Sequence, residues 1–320
     1  MKFHWRELVQ YLVRKARETD PDYLIPSHSP DEWIQDINRL ILRRLDLKPA
    51  DRYTRREFDI SRSQLDALIQ DARNLKMDMP LAYVLNEADF GGETFYVNPD
   101  VLIPRPDSEI LVEAAWEAFL MLQRSHSGKL PVRIVDVGTG SGCLIIVLAK
   151  RIINHLQNTD GGSDLRVDLL GVDISPAALR VARRNAASIL GSEESTQDHV
   201  TWSFVRNDGV PAGQAWSVVM TNPPYVTSRE MMELDLSVAL YEPWLALDGG
   251  TDGLGPFTRI ARGARDTLSP GGLLLCEHGP DQAEAMQRIA AIYLELRFIG
   301  VRQDLAGRNR VSAWMYNGIR

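Results

Sequence analysis

Residues 133–142 read Arg-Ile-Val-Asp-Val-Gly-Thr-Gly-Ser-Gly, and an apolar run that begins at Cys143 follows them. The first part is a short apolar strand that ends at Asp136-Val137, and glycines then occupy every second position. Glycine lets the backbone turn tightly and approach a ligand closely, and the free N–H groups of the following helix point towards that ligand. The pattern therefore predicts a strand, a loop and a helix that hold a nucleotide-type ligand.

The spacing of these glycines argues against a dinucleotide site. Such a site requires Gly-x-Gly-x-x-Gly, which would place a glycine at position 143, where the chain has Cys143. The spacing here is Asp-x-Gly-x-Gly-x-Gly, and the alternative to a binding loop is a tight turn with no ligand. On these residues alone a nucleotide-type site is favoured, and the identity of the ligand stays open. The candidate cofactor-binding residues of the loop are Asp136, Gly138, Thr139, Gly140, Ser141 and Gly142.

Strands and helices alternate on both sides of this loop. Apolar runs predict strands at 133–137, 169–172, 199–205, 217–220, 271–276, 298–303 and 310–316. Helical spacing predicts helices at 107–121, 143–153, 176–190 and 281–294. The last two strands have no helix between them, which predicts an antiparallel pair. The remaining alternation is typical of an α/β fold, with a mostly parallel seven-stranded sheet covered by helices on both faces.

The N-terminal part of the chain has a different pattern. Residues 1–88 predict a small helical domain, because apolar residues recur at helical spacing in 1–20, 31–45 and 61–76, with Ser61 as a candidate N-cap. The basic residues of 1–20 are compatible with a transit peptide, but Glu7 and Glu18 argue against one.

Residues 89–105 predict a β-hairpin that links the helical domain to the sheet domain at 106–320. Short β-type runs at 95–97 and 101–103 flank the turn residues Asn98-Pro99-Asp100. The proline after the second run would end its strand.

Composition excludes several classes of protein. The chain has 320 residues, of which 44% are hydrophobic and 25% charged, as in ordinary globular proteins. The net charge of -7 argues against strong direct binding of nucleic acid by charge alone. No apolar run is long enough for a membrane span. Cys143 and Cys276 lack the spacing of a metal site or a disulfide framework, so we expect no metal and a cytoplasmic location.

Two further acidic residues follow strands of the predicted sheet. Asp173 ends the second strand, where a carboxylate can accept hydrogen bonds from both hydroxyls of a ribose. The polar loop at 158–164 accounts for its long separation from the glycine loop. Asp208-Gly209 follows the third strand, where such folds hold an adenine. The alternatives are an acid at a helix N-terminus for Asp173 and an Asp-Gly turn for Asp208.

The sequence Asn222-Pro223-Pro224-Tyr225 follows the fourth strand. Two prolines hold the backbone extended and donate no hydrogen bond, so the carbonyl of Pro223 is free to accept one. The side chain of Asn222 supplies a second acceptor, and Tyr225 offers a flat face to a planar group. Together these residues suit a planar –NH2 group. The alternative, an Asn-Pro turn with an aromatic plug, is less compatible with the carboxyl end of a strand beside the glycine loop.

These motifs resemble those of a known family. The glycine loop is similar to the cofactor loop of class I S-adenosylmethionine-dependent methyltransferases, and Asn222 to Tyr225 resemble the motif of those that modify amide or exocyclic amine nitrogens. Other segments resemble signatures of the protein glutamine-N5 methyltransferases. These segments are 80–85, 101–109, 241–254, 274–279 and 304–311. The resemblance implies a class I, Rossmann-like methyltransferase domain that uses S-adenosyl-L-methionine and methylates the N5 atom of a glutamine in a protein.

The resemblance leaves two protein substrates open. Residues 105–109 and 304–311 are similar to the enzymes that act on the Gly-Gly-Gln loop of class-one peptide chain release factors, and these are favoured. Residues 86–90 and the longer N-terminal domain are more similar to enzymes that act on a large-subunit ribosomal protein. The helical domain is expected to carry the choice of substrate.

The resemblance also implies roles for the residues. Asn222, Pro223 and Tyr225 would be catalytic, Asn222 to Tyr225 would bind the substrate amide, and Asn222 would also contact the cofactor. No strong general base is needed, and His278 is interpreted as structural. The alternatives are an adenine-N6 methyltransferase of nucleic acids, against which the acidic composition argues, and a non-catalytic docking module, against which the intact motifs argue.

Overall fold

The computed structural model describes residues 1–18, 29–55, 57–125, 130–158, 165–191, 199–293 and 295–318. These residues form two compact units. The first unit contains Met1–Glu87 and Leu234–Glu242, and the second contains Ala88–Glu233 and Pro243–Arg320. The chain therefore leaves the second unit once after the Asn-Pro-Pro-Tyr motif, contributes a short segment to the first unit, and returns. The sequence pattern assigned that segment to the sheet domain.

The first unit is mainly helical. Its elements before the second unit begins are β1 (Lys2–Phe3), α1 (Trp5–Arg17), α2 (Pro30–Arg44), α3 (Asp51–Thr54), β2 (Phe58–Asp59), α4 (Arg62–Lys76) and α5 (Leu81–Leu85). The helices expected at 31–45 and 61–76 are confirmed, and Ser61 caps α4 by accepting a hydrogen bond from the Gln64 N–H. The apolar faces of α1, α2 and α4 pack into one core.

The second unit begins within the first strand of a hairpin, whose first residue Glu87 belongs to the first unit, and continues as an α/β sheet. Its first elements are β3 (Glu87–Phe90), β4 (Glu93–Tyr96), α6 (Glu109–Ser125), β5 (Val132–Val137), α7 (Cys143–Gln157), β6 (Val167–Asp173), α8 (Pro176–Ile189), β7 (Val200–Arg206) and β8 (Trp216–Thr221). Helix α9 (Leu236–Tyr241) lies in the segment that belongs to the first unit. The last elements are α10 (Gly255–Thr267), β9 (Leu268–Glu277), α11 (Ala283–Tyr293), β10 (Leu296–Gln303) and β11 (Asn309–Tyr316).

The central sheet has seven strands in the order β10-β11-β9-β8-β5-β6-β7. Strands β5 to β9 are parallel, and β11 is antiparallel to both β9 and β10, which confirms the predicted antiparallel pair. Helices α6, α7 and α8 cover one face of the sheet, and α10 and α11 cover the other. The strand order reverses beside β5, and the carboxyl ends of β5, β6 and β8 meet there.

The hairpin lies earlier than the sequence predicted. Its strands are β3 and β4, and its turn is Gly91-Gly92, where both residues have positive φ angles of 57° and 79°. Two positive φ angles in a two-residue loop match the right-handed twist of a hairpin, and glycine adopts them without strain. The predicted pairing of 95–97 with 101–103 is wrong: the Val101 N–H bonds to the Asn98 carbonyl in a local turn, and residues 101–103 form no strand.

One helix was missed by the sequence analysis, and one predicted loop lies mostly outside the described residues. Helix α10 was not predicted, because Gly255 and Pro256 open it directly after a glycine-rich segment that reads as a loop. The polar loop at 158–164 lies, after residue 158, outside the described residues. Among the residues that the structure describes, no helix combines the length and apolarity that crossing a bilayer requires.

Candidate active site

A cavity of about 450 Å³ lies at the carboxyl ends of β5, β6, β7 and β8. Its volume is in the range of small-molecule sites. The predicted site residues that line it are Gly138, Thr139, Gly140, Ser141, Asp173, Asp208, Gly209, Asn222, Pro223 and Pro224. Folding therefore brings together residues from segments that are far apart in the sequence. Asp136, Gly142 and Tyr225 are not among the lining residues.

The glycine loop after β5 is held tightly to the sheet. The N–H groups of Gly138 and Thr139 both donate to the Val172 carbonyl at 2.9 Å, and the Gly142 N–H donates to the Thr139 carbonyl at 2.8 Å. Gly142 has a φ angle of 80°, and a Cβ atom there would lie 2.8 Å from the Ile146 side chain. This glycine is therefore required by packing at the start of α7, whereas residues 138–141 face the cavity.

Asp136 lies beneath the glycine loop and is fully buried. Its Oδ2 atom accepts a hydrogen bond of 2.7 Å from the Thr139 hydroxyl, while Oδ1 has no hydrogen-bond partner among the described residues. Burial raises the pKa of this carboxyl to about 7. The side chain braces the loop from inside and does not line the cavity.

We expect Asp136→Asn to remove much of the pH dependence of stability. In the wild type, this carboxyl contributes stability that is complete below the unfolded pKa of about 3.9 and is lost as the pH rises to about 7. The neutral amide keeps an acceptor for Thr139 and has no charge to bury. At pH 8 the free energy of unfolding of the variant should be roughly 2–4 kcal/mol higher than that of the wild type.

Urea unfolding at pH 5 and pH 8 measures this effect. Asp168→Asn, at a partly exposed carboxylate that pairs with Arg133 on the neighbouring strand, is the matched control. If the free energy of unfolding changed equally between pH 5 and pH 8 for Asp136→Asn and the wild type, the raised pKa of Asp136 would be contradicted.

Asp173 ends β6 and is held by two backbone groups. Its Oδ2 atom accepts from the Gly140 N–H at 3.0 Å, and its Oδ1 atom accepts from the Ser175 N–H at 2.9 Å. Asp208 and Gly209 follow β7, where the Asn207 side chain donates to the Gly209 carbonyl at 2.9 Å. Two carboxylates from neighbouring strands thus face the same cavity as the glycine loop.

The Asn-Pro-Pro-Tyr segment leaves β8 next to the loop after β5. The Thr221 hydroxyl donates to the Val137 carbonyl at 2.7 Å and ties the two strand ends together. The Asn222 Nδ2 atom donates to the Ser108 hydroxyl at 3.1 Å. Asn222, Pro223 and Pro224 then line the cavity, with the two proline rings excluding backbone donors from this wall.

Tyr225 has different surroundings. Its backbone carbonyl accepts a hydrogen bond of 3.0 Å from the Gln282 side chain. Burial raises the pKa of its phenol to about 12, with smaller influences from charged groups that include Glu277 and Arg310. Tyr225 is not among the residues that line the cavity.

Sequence reasoning did not assign a role to Ser108 or Glu277. Ser108 precedes α6, and Glu277 ends β9; both are buried. Burial raises the pKa of Glu277 to about 7, while hydrogen bonds from the side chains of Ser108 and Asn222 and the charge of Arg310 lower it. A signal for Glu277 was present, because it is an acidic residue at the end of an apolar strand, as Asp136 and Asp173 are.

His278 is held at both ring nitrogens. Its Nδ1 atom lies 2.7 Å from the Gly279 carbonyl, and its Nε2 atom lies 2.8 Å from the Ser312 hydroxyl. Burial lowers its pKa. The residue does not line the cavity, in agreement with a structural role.

The sheet order, the antiparallel last strand and the glycine loop after the central β5 define a class I, Rossmann-like methyltransferase, a class that uses S-adenosyl-L-methionine. Comparison with curated proteins identifies the family. The chain is 34% identical over 301 residues to the release factor glutamine methyltransferase of Neisseria gonorrhoeae, covering 89% of this chain and 97% of that protein. It belongs to the family of release factor glutamine methyltransferases, as the sequence motifs predicted.

Other relatives agree. The protein of the same name from Clostridium acetobutylicum is 31% identical over 303 residues, covering 93% of this chain and 96% of that protein. The one from Bordetella pertussis is 36% identical over 233 residues, covering 73% of this chain and 76% of that protein. A scan against protein-family models finds no match.

Solved structures of methyltransferases also resemble the chain. The ribosomal protein L11 methylase of Lactobacillus delbrueckii has a TM-score of 0.42 and 14% identity, covering 69% of this chain and 83% of that chain. The Mtq2–Trm112 complex of E. cuniculi has a TM-score of 0.38 and 21% identity, covering 68% of this chain and 99% of that chain.

Proposed function

We propose that this protein transfers a methyl group from S-adenosyl-L-methionine to the side-chain amide nitrogen of the glutamine in the Gly-Gly-Gln loop of class-one peptide chain release factors. The observation that carries the proposal is the shared cavity. Asn222 and Pro223, whose side-chain oxygen and backbone carbonyl would accept hydrogen bonds from an –NH2 group, line the same cavity as the glycine loop and Asp173. The names of the relatives support the release factor as substrate.

The residues present fit the cofactor. Backbone groups of Gly138 to Ser141 would hold its amino-acid part, Asp173 its ribose hydroxyls, and Asp208 with Gly209 its adenine. When bound, the cofactor supplies an electrophilic methyl group on a positively charged sulfur, so the protein needs no covalent intermediate.

The chain's own residues would orient and activate the amide. An amide nitrogen is a poor nucleophile, because its lone pair is delocalised into the carbonyl. By accepting both amide hydrogens, Asn222 Oδ1 and the Pro223 carbonyl would turn the nitrogen towards the methyl group and stabilise the positive charge that develops on it. We also propose that Tyr225 packs on the amide plane when substrate is bound.

Asp173→Ala should weaken cofactor binding. A lost hydrogen bond to a charged group costs about 1.5–3 kcal/mol, which raises the dissociation constant by roughly 10- to 150-fold. Isothermal titration with S-adenosyl-L-methionine measures the effect. Asp168→Ala, at a carboxylate on the same strand that does not line the cavity, serves as the control and should bind normally. An unchanged dissociation constant for Asp173→Ala would refute the ribose assignment.

The substrate is tested directly. The full chain is incubated with isotope-labelled cofactor and a release factor, and mass spectrometry locates the modified residue. We expect one methyl group on the glutamine of the Gly-Gly-Gln loop and none on a release factor in which that glutamine is alanine. Label on a ribosomal protein glutamine, and none on the release factor, would replace the proposed substrate with the alternative. We further propose a cytoplasmic location, where such substrates are found.

The first unit is proposed to recognise the folded substrate. A glutamine side chain offers few contacts, so selectivity must come from surface remote from the reacting atom. All residues that line the cavity belong to the second unit. The first unit includes α9, whose Tyr241 hydroxyl donates to the Met77 carbonyl at 2.6 Å. The first unit is therefore built from residues that precede the Asn-Pro-Pro-Tyr motif in the sequence and from residues that follow it.

Removing the first unit should separate cofactor binding from recognition. The chain is started at residue 88, and 234–242 is replaced by a short linker, because that segment would lose its packing partners. If the product is folded, it should bind cofactor within about threefold of the full chain, since a preformed cavity is retained. Its kcat/KM for the intact release factor should fall at least about tenfold, with a smaller effect on a short Gly-Gly-Gln peptide. Equal losses on both substrates would contradict the recognition role.

A further inference from the structure

The side chains of Asn222, Ser108 and Glu277 form a polar cluster at the cavity wall. Glu277 is only 2% exposed and Ser108 only 3%. The Asn222 Nδ2 atom donates to the Ser108 hydroxyl at 3.1 Å, and hydrogen bonding from both of these side chains lowers the pKa of the Glu277 carboxyl. All three residues belong to the second unit; Asn222 and Ser108 also line the cavity, whereas Glu277 does not.

The cluster determines which end of the Asn222 amide faces the cavity. An asparagine amide can present either its oxygen or its –NH2 group with little change of shape, and only the oxygen can accept a hydrogen from the substrate. A carboxylate accepts hydrogen bonds and cannot donate them. Since the serine hydroxyl has one proton and donates it to Glu277, it can only accept from Asn222. The –NH2 group of Asn222 is therefore turned inward, which leaves Oδ1 for the substrate.

The surrounding charges have their own partners. Arg310 lies 3.0 Å from Asp107 and 3.1 Å from Asp304, so it is neutralised without Glu277. The other titratable groups that influence Glu277 or are influenced by it are Asp107, Cys143, Tyr225, Cys276 and Arg310. Neutralising Arg310 therefore does not account for a buried carboxyl at this position.

The acceptor function does not depend on the charge of Glu277. The Oε2 atom has no hydrogen-bond partner among the described residues, so a proton can reside there while the other oxygen still accepts. Glutamine also has one acceptor oxygen and nearly the same shape, whereas leucine has none.

We propose that Glu277 and Ser108 are positioning residues that hold the Asn222 amide with its oxygen towards the substrate nitrogen. This inference rests on the proposed function and adds two residues to its machinery. Glu277 acts through Asn222 from outside the cavity, whereas Ser108 lines the cavity and holds Asn222 through the hydrogen bond from its Nδ2 atom.

The test compares three variants of the full chain with the wild type, using the release factor and labelled cofactor. Glu277→Leu should lower kcat about 30-fold or more, because without an acceptor the amide populates the unproductive orientation. Its KM and its cofactor dissociation constant should stay within about threefold, since it leaves both binding surfaces in place. Glu277→Gln should turn over at least about tenfold faster than Glu277→Leu. Ser108→Ala removes a single oxygen atom and should lower kcat about tenfold.

A double-mutant cycle separates positioning from general structural damage. In an Asn222→Ala background, Glu277→Leu should change kcat by no more than about twofold, because the group it positions is gone. Trp314→Phe is the packing control: it changes a fully buried side chain on β11, the strand beside β9, without touching the cluster, and should leave kcat within about twofold.

The outcomes are distinct. If the wild type methylates no glutamine, the proposed function fails. If the wild type is active, the inference is overturned by a Glu277→Leu variant with full kcat, by a glutamine variant as slow as the leucine variant, or by full additivity with Asn222→Ala. If Glu277→Leu does not fold, Ser108→Ala decides: loss of kcat at unchanged KM supports the inference, and unchanged kcat overturns it.

Discussion

Asn222→Ala is expected to lower kcat by at least about 100-fold, comparable to removing one oxyanion-hole donor in other enzymes. The side chain lies in the cavity wall with its Nδ2 atom bound to Ser108, so its oxygen is the free acceptor. This acceptor would strengthen its bond to the amide as positive charge develops on nitrogen, which places its contribution in the transition state. The cofactor dissociation constant should change by less than about threefold, because the glycine loop and Asp173 remain.

Single-turnover kinetics with labelled cofactor, together with isothermal titration, separate the two effects. Asn154→Ala, at an exposed asparagine on α7, is the control and should behave as the wild type. Near-normal turnover of Asn222→Ala would remove this residue from the mechanism. A large loss of cofactor affinity with unchanged kcat would assign it to the cofactor instead.

Gly253→Ala should lower kcat by about as much as Asn222→Ala, although Gly253 itself does not line the cavity. Gly253 has a φ angle of 71°, and a Cβ atom there would overlap the Tyr225 carbonyl oxygen and the Gln282 side-chain nitrogen. Relief of this overlap must move the Asn-Pro-Pro-Tyr segment or break the hydrogen bond between Gln282 and Tyr225. A displacement of about 1 Å in positioned groups can cost about 100-fold in rate, so kcat should fall by roughly that factor.

Gly250→Ala is the matched control for this prediction. Gly250 has a similar φ angle of 84° in the same loop, but a Cβ atom there meets nothing within 4 Å. Both variants carry the backbone strain of a non-glycine residue at positive φ, and only Gly253→Ala adds the collision. Steady-state kinetics should therefore show a small effect for Gly250→Ala. Equal rates for the two variants would show that the collision does not reach the motif.

The glycine loop and the Asn-Pro-Pro-Tyr motif could be identified from the sequence, because their properties depend only on residues that are neighbours in the chain. A glycine loop after Asp136 requires only a backbone that can turn, and two prolines after Asn222 make an extended backbone without donors wherever they occur. Strand and helix periodicity similarly predicts a mostly parallel sheet, and the carboxyl ends of parallel strands bring such motifs to one edge. The α/β architecture and the antiparallel last pair followed from these patterns, and the family followed from the resemblance of the motifs to those of known methyltransferases.

Other features depended on packing between distant residues. Asn98-Pro99-Asp100 and Gly91-Gly92 are both good turn sequences, and only the positive φ angles at Gly91 and Gly92 show which one closes the hairpin. Helix α10 begins with residues that read as a loop, and it forms because its apolar face is buried against the sheet. The assignment of Leu234–Glu242 to the helical unit likewise depends on contacts with residues far away in the chain.

The same distinction applies within the site. The pattern Asp-x-Gly-x-Gly-x-Gly includes Asp136 and Gly142, but whether each lines the cavity or supports the loop depends on the side chains packed around it. The hydrogen bond from Asn222 to Ser108 joins residues 114 positions apart. No periodicity or spacing encodes such a contact, because it forms only when the ends of β8 and β9 and the start of α6 are brought together by the folded sheet.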